Sequence, residues 1–193
     1  MRIPIVFARI AWMRWYEGSP NEITYPRSLQ EAENFRSIQG RVYGFAQPVT
    51  NGRYRATVKL ERIVPGCGGN GITGVTVVFV ARAPRGGQRV VGWYRDAVVH
   101  RVPQMTSVRR YEYYFETTAK NAVLVPEKSR SCIIPAGLGA FGKSNLWYLY
   151  EKDGAAKNAA WVSAVLDYIQ DSSCDSLASP ARRRNSELQR EVR

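Results

Sequence analysis

The sequence predicts an α+β fold built on a curved mixed β-sheet or a small β-barrel, with a few flanking helices. Roughly seven or eight short apolar segments are bounded by Gly, Pro and Asn, a spacing typical of barrels and strongly curved sheets. One segment near the C-terminus has helical periodicity instead. The chain has 193 residues, of which 45% are hydrophobic, so it can bury a core without disulfides.

The first part of the chain is predicted to hold strands separated by irregular segments. Three strands are predicted there: Ile3–Ile10, Arg41–Gln47 and Tyr54–Ile63. Pro48 ends the second strand, and an Asn51-Gly52 turn joins it to the third. A short helix is predicted over Ser28–Phe35, because Ser28 can serve as its N-cap and Glu31 can complete a capping box.

A glycine-rich loop, Pro65–Gly71, separates these elements from a predicted hairpin. Val75–Arg82 is a β-branched run of the kind expected in a central strand that is covered on both faces. A Pro84–Gly87 turn joins it to Arg89–Arg101. Further short strands are predicted at Arg109–Thr117, Ala122–Pro126 and Cys132–Pro135.

The last apolar element is predicted to be a helix within Lys157–Gln170. Its apolar residues fall on one face at 3.6 periodicity: Trp161, Val162, Val165, Leu166 and Ile169. From Asp171 the composition becomes polar, so we predict one domain over residues 1–171 and a linker with a charged stub over 172–193. Five arginines and two glutamates give residues 181–193 a charge of +3, which leaves about +9 of the total +12 for the folded domain.

The charge indicates a polyanionic partner. Lys and Arg number 28 against 16 for Asp and Glu, a surplus that concentrates DNA, RNA or anionic lipid around the protein. No apolar run approaches the ~18 residues of a membrane span, and Met1–Arg9 is too charged for a signal peptide. Cys67, Cys132 and Cys174 fit neither a disulfide framework nor a paired zinc site. We therefore expect a cytoplasmic protein that binds nucleic acid, without a membrane, metal or cofactor.

The sequence offers few catalytic motifs. Gly137–Ser144 has the G-x-x-x-x-G-K-S spacing of a phosphate-binding loop, but a mobile turn is predicted there instead of a nucleotide site. The single histidine, His100, lies in a predicted strand and is expected to be packed or to face solvent. We expect that the chain is not an enzyme and that any nuclease activity would need a further domain.

Aromatic residues beside arginines are the candidate binding residues. Aromatic rings stack on unpaired bases, and arginines pair with phosphates. The aromatic candidates are Trp12, Trp15, Trp93, Tyr94 and Trp147. The candidates for phosphate binding are Arg82, Arg85, Arg89, Arg95, Arg101 and Lys143. For each aromatic residue the core remains the alternative, and Trp12 and Trp147 rank higher because each lies next to a strand end or loop.

Strand alternation limits how Trp93 and Tyr94 can act together. Unless a bulge intervenes, Trp93 shares a face with Val91, Arg95, Ala97 and Val99, and Tyr94 lies on the other face. Only one of the two can then line a given pocket.

Four segments in this order resemble a known module: Ile10–Met13 after an apolar strand, Val42–Pro48, Val91–Val99 and Gly142–Tyr148. They are similar to the N-terminal module of bacterial restriction-like proteins that carry a nuclease-like domain further on. The module resembles the PUA superfamily, which includes the EVE, YTH, ASCH and SRA domains. The resemblance covers residues 3–170.

The resemblance implies a PUA-like fold and a sensor of modified DNA in a modification-dependent restriction system. Such domains flip a base into an aromatic cage, whose walls here would be Trp12, Trp93 and Trp147. Ser144 and Asn145 would contact the edge of the base. The stub would lead towards a downstream or partner nuclease domain. Two alternatives remain open: a module for modified or structured RNA, and an ASCH-type hydrolase of modified nucleosides that would need Lys143 or Lys120.

Overall fold

The computed structural model describes residues 3–18, 30–48, 57–135, 142 and 144–177. The chain divides into two compact units, Met1–Ala159 and Ala160–Arg193. The first unit contains a mixed sheet of eight strands, and the second contains one α-helix, α1, over Trp161–Leu177. The predicted α+β class with a mixed sheet is therefore confirmed. Helix α1 continues past Asp171, and the predicted domain boundary stays a prediction.

The strands mostly follow the predicted order, with one addition near residue 147. They are β1 Ile5–Ile10, β2 Arg41–Gly44, β3 Gly71–Arg82, β4 Gln88–Thr106, β5 Arg109–Thr118, β6 Ala122–Leu124, β7 Ile133–Ile134 and β8 Leu146–Tyr148. Short 3-10 helices occupy Glu31–Glu33, Leu60–Arg62, Ala119–Asn121 and Glu127–Ser129.

Two predicted elements are wrong where the structure describes them. Residues 31–33 form a 3-10 turn instead of part of an α-helix, and the proposed N-cap, Ser28, lies outside the described residues. The strand predicted over Tyr54–Ile63 is replaced by the 3-10 helix Leu60–Arg62. A 3-10 turn brings residues three apart onto one side, so Leu60 and Ile63 are both buried in the core.

The strand order of the sheet is β2-β5-β4-β3-β1-β8, and β6 and β7 add to β4. Strands β1 and β3 are parallel, and the other pairs are antiparallel. Strands β2 and β8 are the edges, and no pairing joins them among the described residues, so the sheet is open there. No helix in the described part of the chain combines the length and hydropathy that a membrane span requires.

In its pairing with β3, strand β4 has two bulges that change which residues share a face. Tyr94 and Ala97 lie opposite Val77 and Val75, so β4 has one residue more than β3 over this stretch. Asp96, within the bulge, has a φ of 48°. A second shift lies next to Val91. Because each extra residue reverses the alternation, Val91, Ala97 and Val99 join Tyr94 in the core cluster, and the grouping with Trp93 expected from strict alternation is wrong.

The core cluster centres on Phe35, which packs against Phe79 and Tyr94 with ring centroids 5.4 and 5.5 Å apart. Gly92 makes this packing possible. A Cβ added to Gly92 would lie 2.5 Å from Phe35 Cζ and 2.5 Å from the backbone oxygen of Val123. The ring therefore rests directly on the backbone of β4, which only glycine permits.

Candidate nucleic-acid interface

Three segments meet at one end of the sheet and bring several of the predicted site residues together. Ile10, the last residue of β1, lies opposite Ala81 of β3, so residues 11–16 continue beside the β3–β4 turn. Residues 126–132 reach the same end, because the backbone N–H of Val90 donates to the carbonyl of Cys132 at 3.0 Å. We call this end, formed by residues 11–16, 82–89 and 126–132, the basic end.

The basic end is strongly cationic. One carboxylate, that of Glu127, lies among six cations: Arg14, Arg82, Arg85, Arg89, Lys128 and Arg130. Four of the cations are exposed and form no ion pair with any residue that the structure describes: Arg14, Arg82, Arg85 and Lys128. Exposed cations without an ion pair attract phosphates without first having to break an internal ion pair.

Arg130 holds the loop of residues 12–15 in place. Its side chain is buried, and its guanidinium donates to the carbonyls of Met13 at 2.7 Å, Arg14 at 2.9 Å and Val125 at 3.0 Å. The same guanidinium lies 4.7 Å from the ring centroid of Trp12 and 5.7 Å from that of Tyr16. Such cation–π contacts add to the hydrogen bonds.

Further hydrogen bonds fix the same loop. The Tyr16 hydroxyl donates to the carbonyl of Ala11 at 2.7 Å and accepts from the backbone N–H of Met13 at 3.1 Å. The indole N–H of Trp12 donates to the Glu127 carboxylate at 3.0 Å. Trp12 is therefore half-buried in the framework of the loop.

Trp15 is the exposed aromatic residue of the basic end, with 46% of its surface accessible. The Arg14 guanidinium carbon lies 4.5 Å from the centroid of its ring. A planar ring that is exposed beside cations is the arrangement that stacks on an unpaired base while the cations contact its phosphates.

Ser144 and Asn145 lie at the edge of the sheet near the basic end, where Asn145 binds Arg9 of β1. Asn145 Oδ1 accepts from Arg9 Nε at 3.2 Å and from Arg9 Nη2 at 3.1 Å. Partial burial lowers the pKa of the Arg9 guanidinium. Ser144 Oγ accepts from the backbone N–H of Leu146 at 3.2 Å. Lys143 lies outside the described residues.

Trp93, Tyr94 and Trp147 lie in the body of the sheet and are buried. Tyr94 belongs to the core cluster, where its hydroxyl donates to the carbonyl of Asn34. Trp93 lies on the opposite face of the sheet. Trp147 of β8 packs against Phe7, and the two rings meet edge to face with their centroids 5.4 Å apart. The structure therefore does not bring these three aromatic residues together with Trp12.

The remaining candidates are distributed along β4. Arg95 is half-buried in the middle of the strand. Arg101 is at the other end of the β3–β4 pairing, where its guanidinium lies 3.0 Å from the Glu61 carboxylate. His100 is half-buried, and its Nε2 lies 3.0 Å from Glu116, which also pairs with Arg41 at 2.8 Å.

The prediction from sequence missed Arg14, Lys128 and Arg130. Arg14 carried a usable signal, because it stands between two tryptophans in Trp12-Met13-Arg14-Trp15. Nothing in the sequence linked Lys128 and Arg130 to this site, because they lie more than a hundred residues after Trp12 and Trp15 along the chain. In the described part of the chain, no cluster of His, Cys, Asp and Glu could hold a metal ion.

Comparison with known proteins adds no family. No protein-family model matches the chain, and neither a curated protein nor a solved structure matches it. The resemblance to the PUA superfamily therefore stays a prediction.

Proposed function

We propose that this domain binds nucleic acid and that its basic end contacts the phosphates. The observation that carries the proposal is the group of exposed cations, Arg14, Arg82, Arg85 and Lys128, which lack ion-pair partners among the described residues. Several arginines outside the basic end are paired with carboxylates, as in Arg62–Glu151 and Arg101–Glu61. Four cations available for a ligand thus lie together at one end of the sheet.

The proposal includes a role for Trp15 as a stacking platform. Its ring is exposed, and the loop that carries it is fixed by Arg130 and Tyr16. A fixed aromatic residue loses little conformational entropy on binding, and one stacked base contributes ~1–3 kcal/mol. Trp15, with Arg14 against its ring, is therefore the residue that would hold a base taken out of its stack.

The specific form of the proposal is a PUA-like sensor of a modified base in duplex DNA, acting in the cytoplasm with a downstream or partner nuclease domain. The chain's own patterns and its resemblance to restriction-associated modules support this form. A flipped base would be held at Trp15 and the loop of residues 12–15. Trp93 and Trp147, both buried, would support the sheet without touching the base.

The test measures binding by fluorescence anisotropy over about 50 to 200 mM salt, the range in which phosphate contacts weaken strongly. The ligands are one duplex with and without a single modified cytosine, the same sequence as single-stranded DNA, and the same sequence as RNA. The variants are R82A/R85A, W15A and W15F. The control is K59A/K152A, which removes the same charge from two exposed lysines outside the basic end.

We expect R82A/R85A to lower the slope of log affinity against log salt by about 2, because two phosphate contacts are lost. The K59A/K152A control should leave the slope unchanged, and an equal effect of both double variants would exclude the basic end as the interface. W15A should weaken binding about tenfold and W15F much less. Equal affinity for modified and unmodified duplex would exclude base reading, and tighter binding to RNA would favour the RNA alternative.

A further inference from the structure

Residues 102–113 form a two-stranded arm that extends beyond the rest of the sheet. The last pairing of β4 with β3 joins His100 to Gly71, and the pairing of β5 with β2 begins at Phe115. Between these points the described pairings are those within the arm, Gln104 with Tyr113 and Thr106 with Arg109. The arm ends in a turn at residues 107 and 108.

The two faces of the arm differ in exposure. Thr106 and Arg109 are paired, so they share one face, and their neighbours Met105 and Arg110 lie on the other. Arg109 is buried, whereas Arg110 is exposed and 70% of Met105 is accessible. Val108 at the turn is also exposed, at 37%. One side of the tip thus presents an apolar side chain beside a cation.

Arg109 anchors the opposite face of the arm. Its guanidinium donates to the carbonyl of Gln30 at 2.9 Å and to that of Glu112 at 3.0 Å. Its Nε lies 3.8 Å from the Glu33 carboxylate. Arg109 is bound to Gln30 and Glu33, which lie outside the arm. These contacts fix the arm in place, and Met105 is therefore exposed in an ordered part of the fold.

We propose that the tip of this arm inserts Met105 between base pairs from the minor groove of duplex DNA, with Arg110 beside it on the backbone. The proposal rests on the proposed function and adds a second contact to it, because β4 runs from the basic end at Gln88 to the arm at Thr106. Proteins that bend DNA use methionine and other apolar side chains as wedges between base steps, with arginines nearby. Met105 and Val108 are the exposed apolar residues of the tip, and a wedge needs no more than these two. A stable interface with another protein would need ~800 Å² of buried surface on each partner. The small apolar area of the tip therefore fits a gap between base pairs better than a protein surface.

The test uses the full chain and a duplex labelled at both ends for energy transfer, with 2-aminopurine at a flexible TA step. The wild type is compared with M105S, which removes the wedge, and with M105L, which keeps it. Because Met105 is exposed, all three proteins should unfold at the same temperature, which is measured as the control for folding.

We expect the wild type and M105L to shorten the end-to-end distance of the duplex and to raise 2-aminopurine fluorescence. M105S should bind about tenfold more weakly, the loss expected when one large apolar side chain is no longer buried, and should leave the bound duplex straight. Bending by M105S equal to that of the wild type would overturn the proposal, as would binding by the wild type without bending. Failure of the wild type to bind any DNA would instead refute the proposed function on which the wedge depends.

Discussion

Trp93 and Trp147 lie in one cross-strand row of the sheet, separated by Val78 and Phe7. Trp93 pairs with Val78, Val78 with Phe7, and Phe7 with Trp147. Three strand spacings amount to about 14 Å, whereas the two walls of an aromatic cage must lie about 7 Å apart to hold one base between them. Side chains in this row therefore pack against the sheet, and the two indoles do not face each other across a slot.

The first prediction concerns Trp93, whose side chain is fully buried. W93F should lower the free energy of unfolding by about 2 kcal/mol, because it leaves a cavity, and should leave DNA affinity unchanged. Denaturant unfolding and anisotropy measure the two effects. A folded W93F protein that had lost its preference for modified DNA would place Trp93 in the base site.

Arg130 provides a second prediction. R130K keeps the charge, but one ammonium group cannot replace a guanidinium that donates to three carbonyls and lies between two rings. The free energy of unfolding should fall by about 2–3 kcal/mol, and proteolysis should cut the loop of residues 12–15 more readily. The control is K128A, an exposed neighbour that should change stability by no more than about 0.5 kcal/mol. Equal stability of R130K and the wild type would show that the hydrogen bonds of Arg130 do not fix the loop of residues 12–15.

Gly92 should tolerate no side chain. G92A places a methyl group 2.5 Å from both a ring carbon and a backbone oxygen, so we expect a loss of about 2 kcal/mol or more. Gly68 offers a matched control, because nothing lies within 4 Å of a Cβ added there, and G68A should be neutral or stabilising by up to about 1 kcal/mol. Thermal unfolding measures both, and similar stabilities of the two variants would disprove the close packing at Gly92.

The fourth prediction concerns Tyr148, which should make the stability of the protein sensitive to alkaline pH. Burial raises the pKa of its hydroxyl from 10.0 to about 12, so the folded state holds this proton more tightly than the unfolded chain. The resulting stability is present below pH 10 and is lost as the pH rises through about 12.

Over that interval the wild type should lose about 2–3 kcal/mol more than Y148F, which has no proton to release. Y148F should be less stable near pH 7 by about 1 kcal/mol, because the backbone N–H of Lys59 loses its acceptor. Denaturant unfolding at a series of pH values measures both effects. If the free energies of unfolding of the two proteins changed with pH in parallel, the raised pKa of Tyr148 would be wrong.

Local pattern was enough to predict most of the elements. The apolar run of β1, the β-branched run of β3 with the turn into β4, and the helical periodicity of α1 each depend on neighbours a few residues away. The strand predicted over Tyr54–Ile63 is wrong where the structure describes it, because a 3-10 turn lets Leu60 and Ile63 both reach the core.

The candidate site was predicted only in part. Trp12, Trp15, Arg82, Arg85 and Arg89 do lie at one end of the sheet, whereas Trp93, Tyr94 and Trp147 are buried in its body. The bulge at Asp96 decides the face of Ala97 and Val99, and it depends on the register with β3. No local pattern in the sequence encodes that register.

By itself, the sequence determined the surplus of positive charge, the strand-rich fold class and the position of most strands, because composition and short-range periodicity depend on residues near one another. Tertiary structure alone decided which cations stand together without partners and which tryptophan remains exposed. Arg14, Arg82 and Lys128 share the basic end because strand pairing joins segments that are far apart in the chain, and Arg130 fixes Trp15 there through hydrogen bonds that span 116 residues.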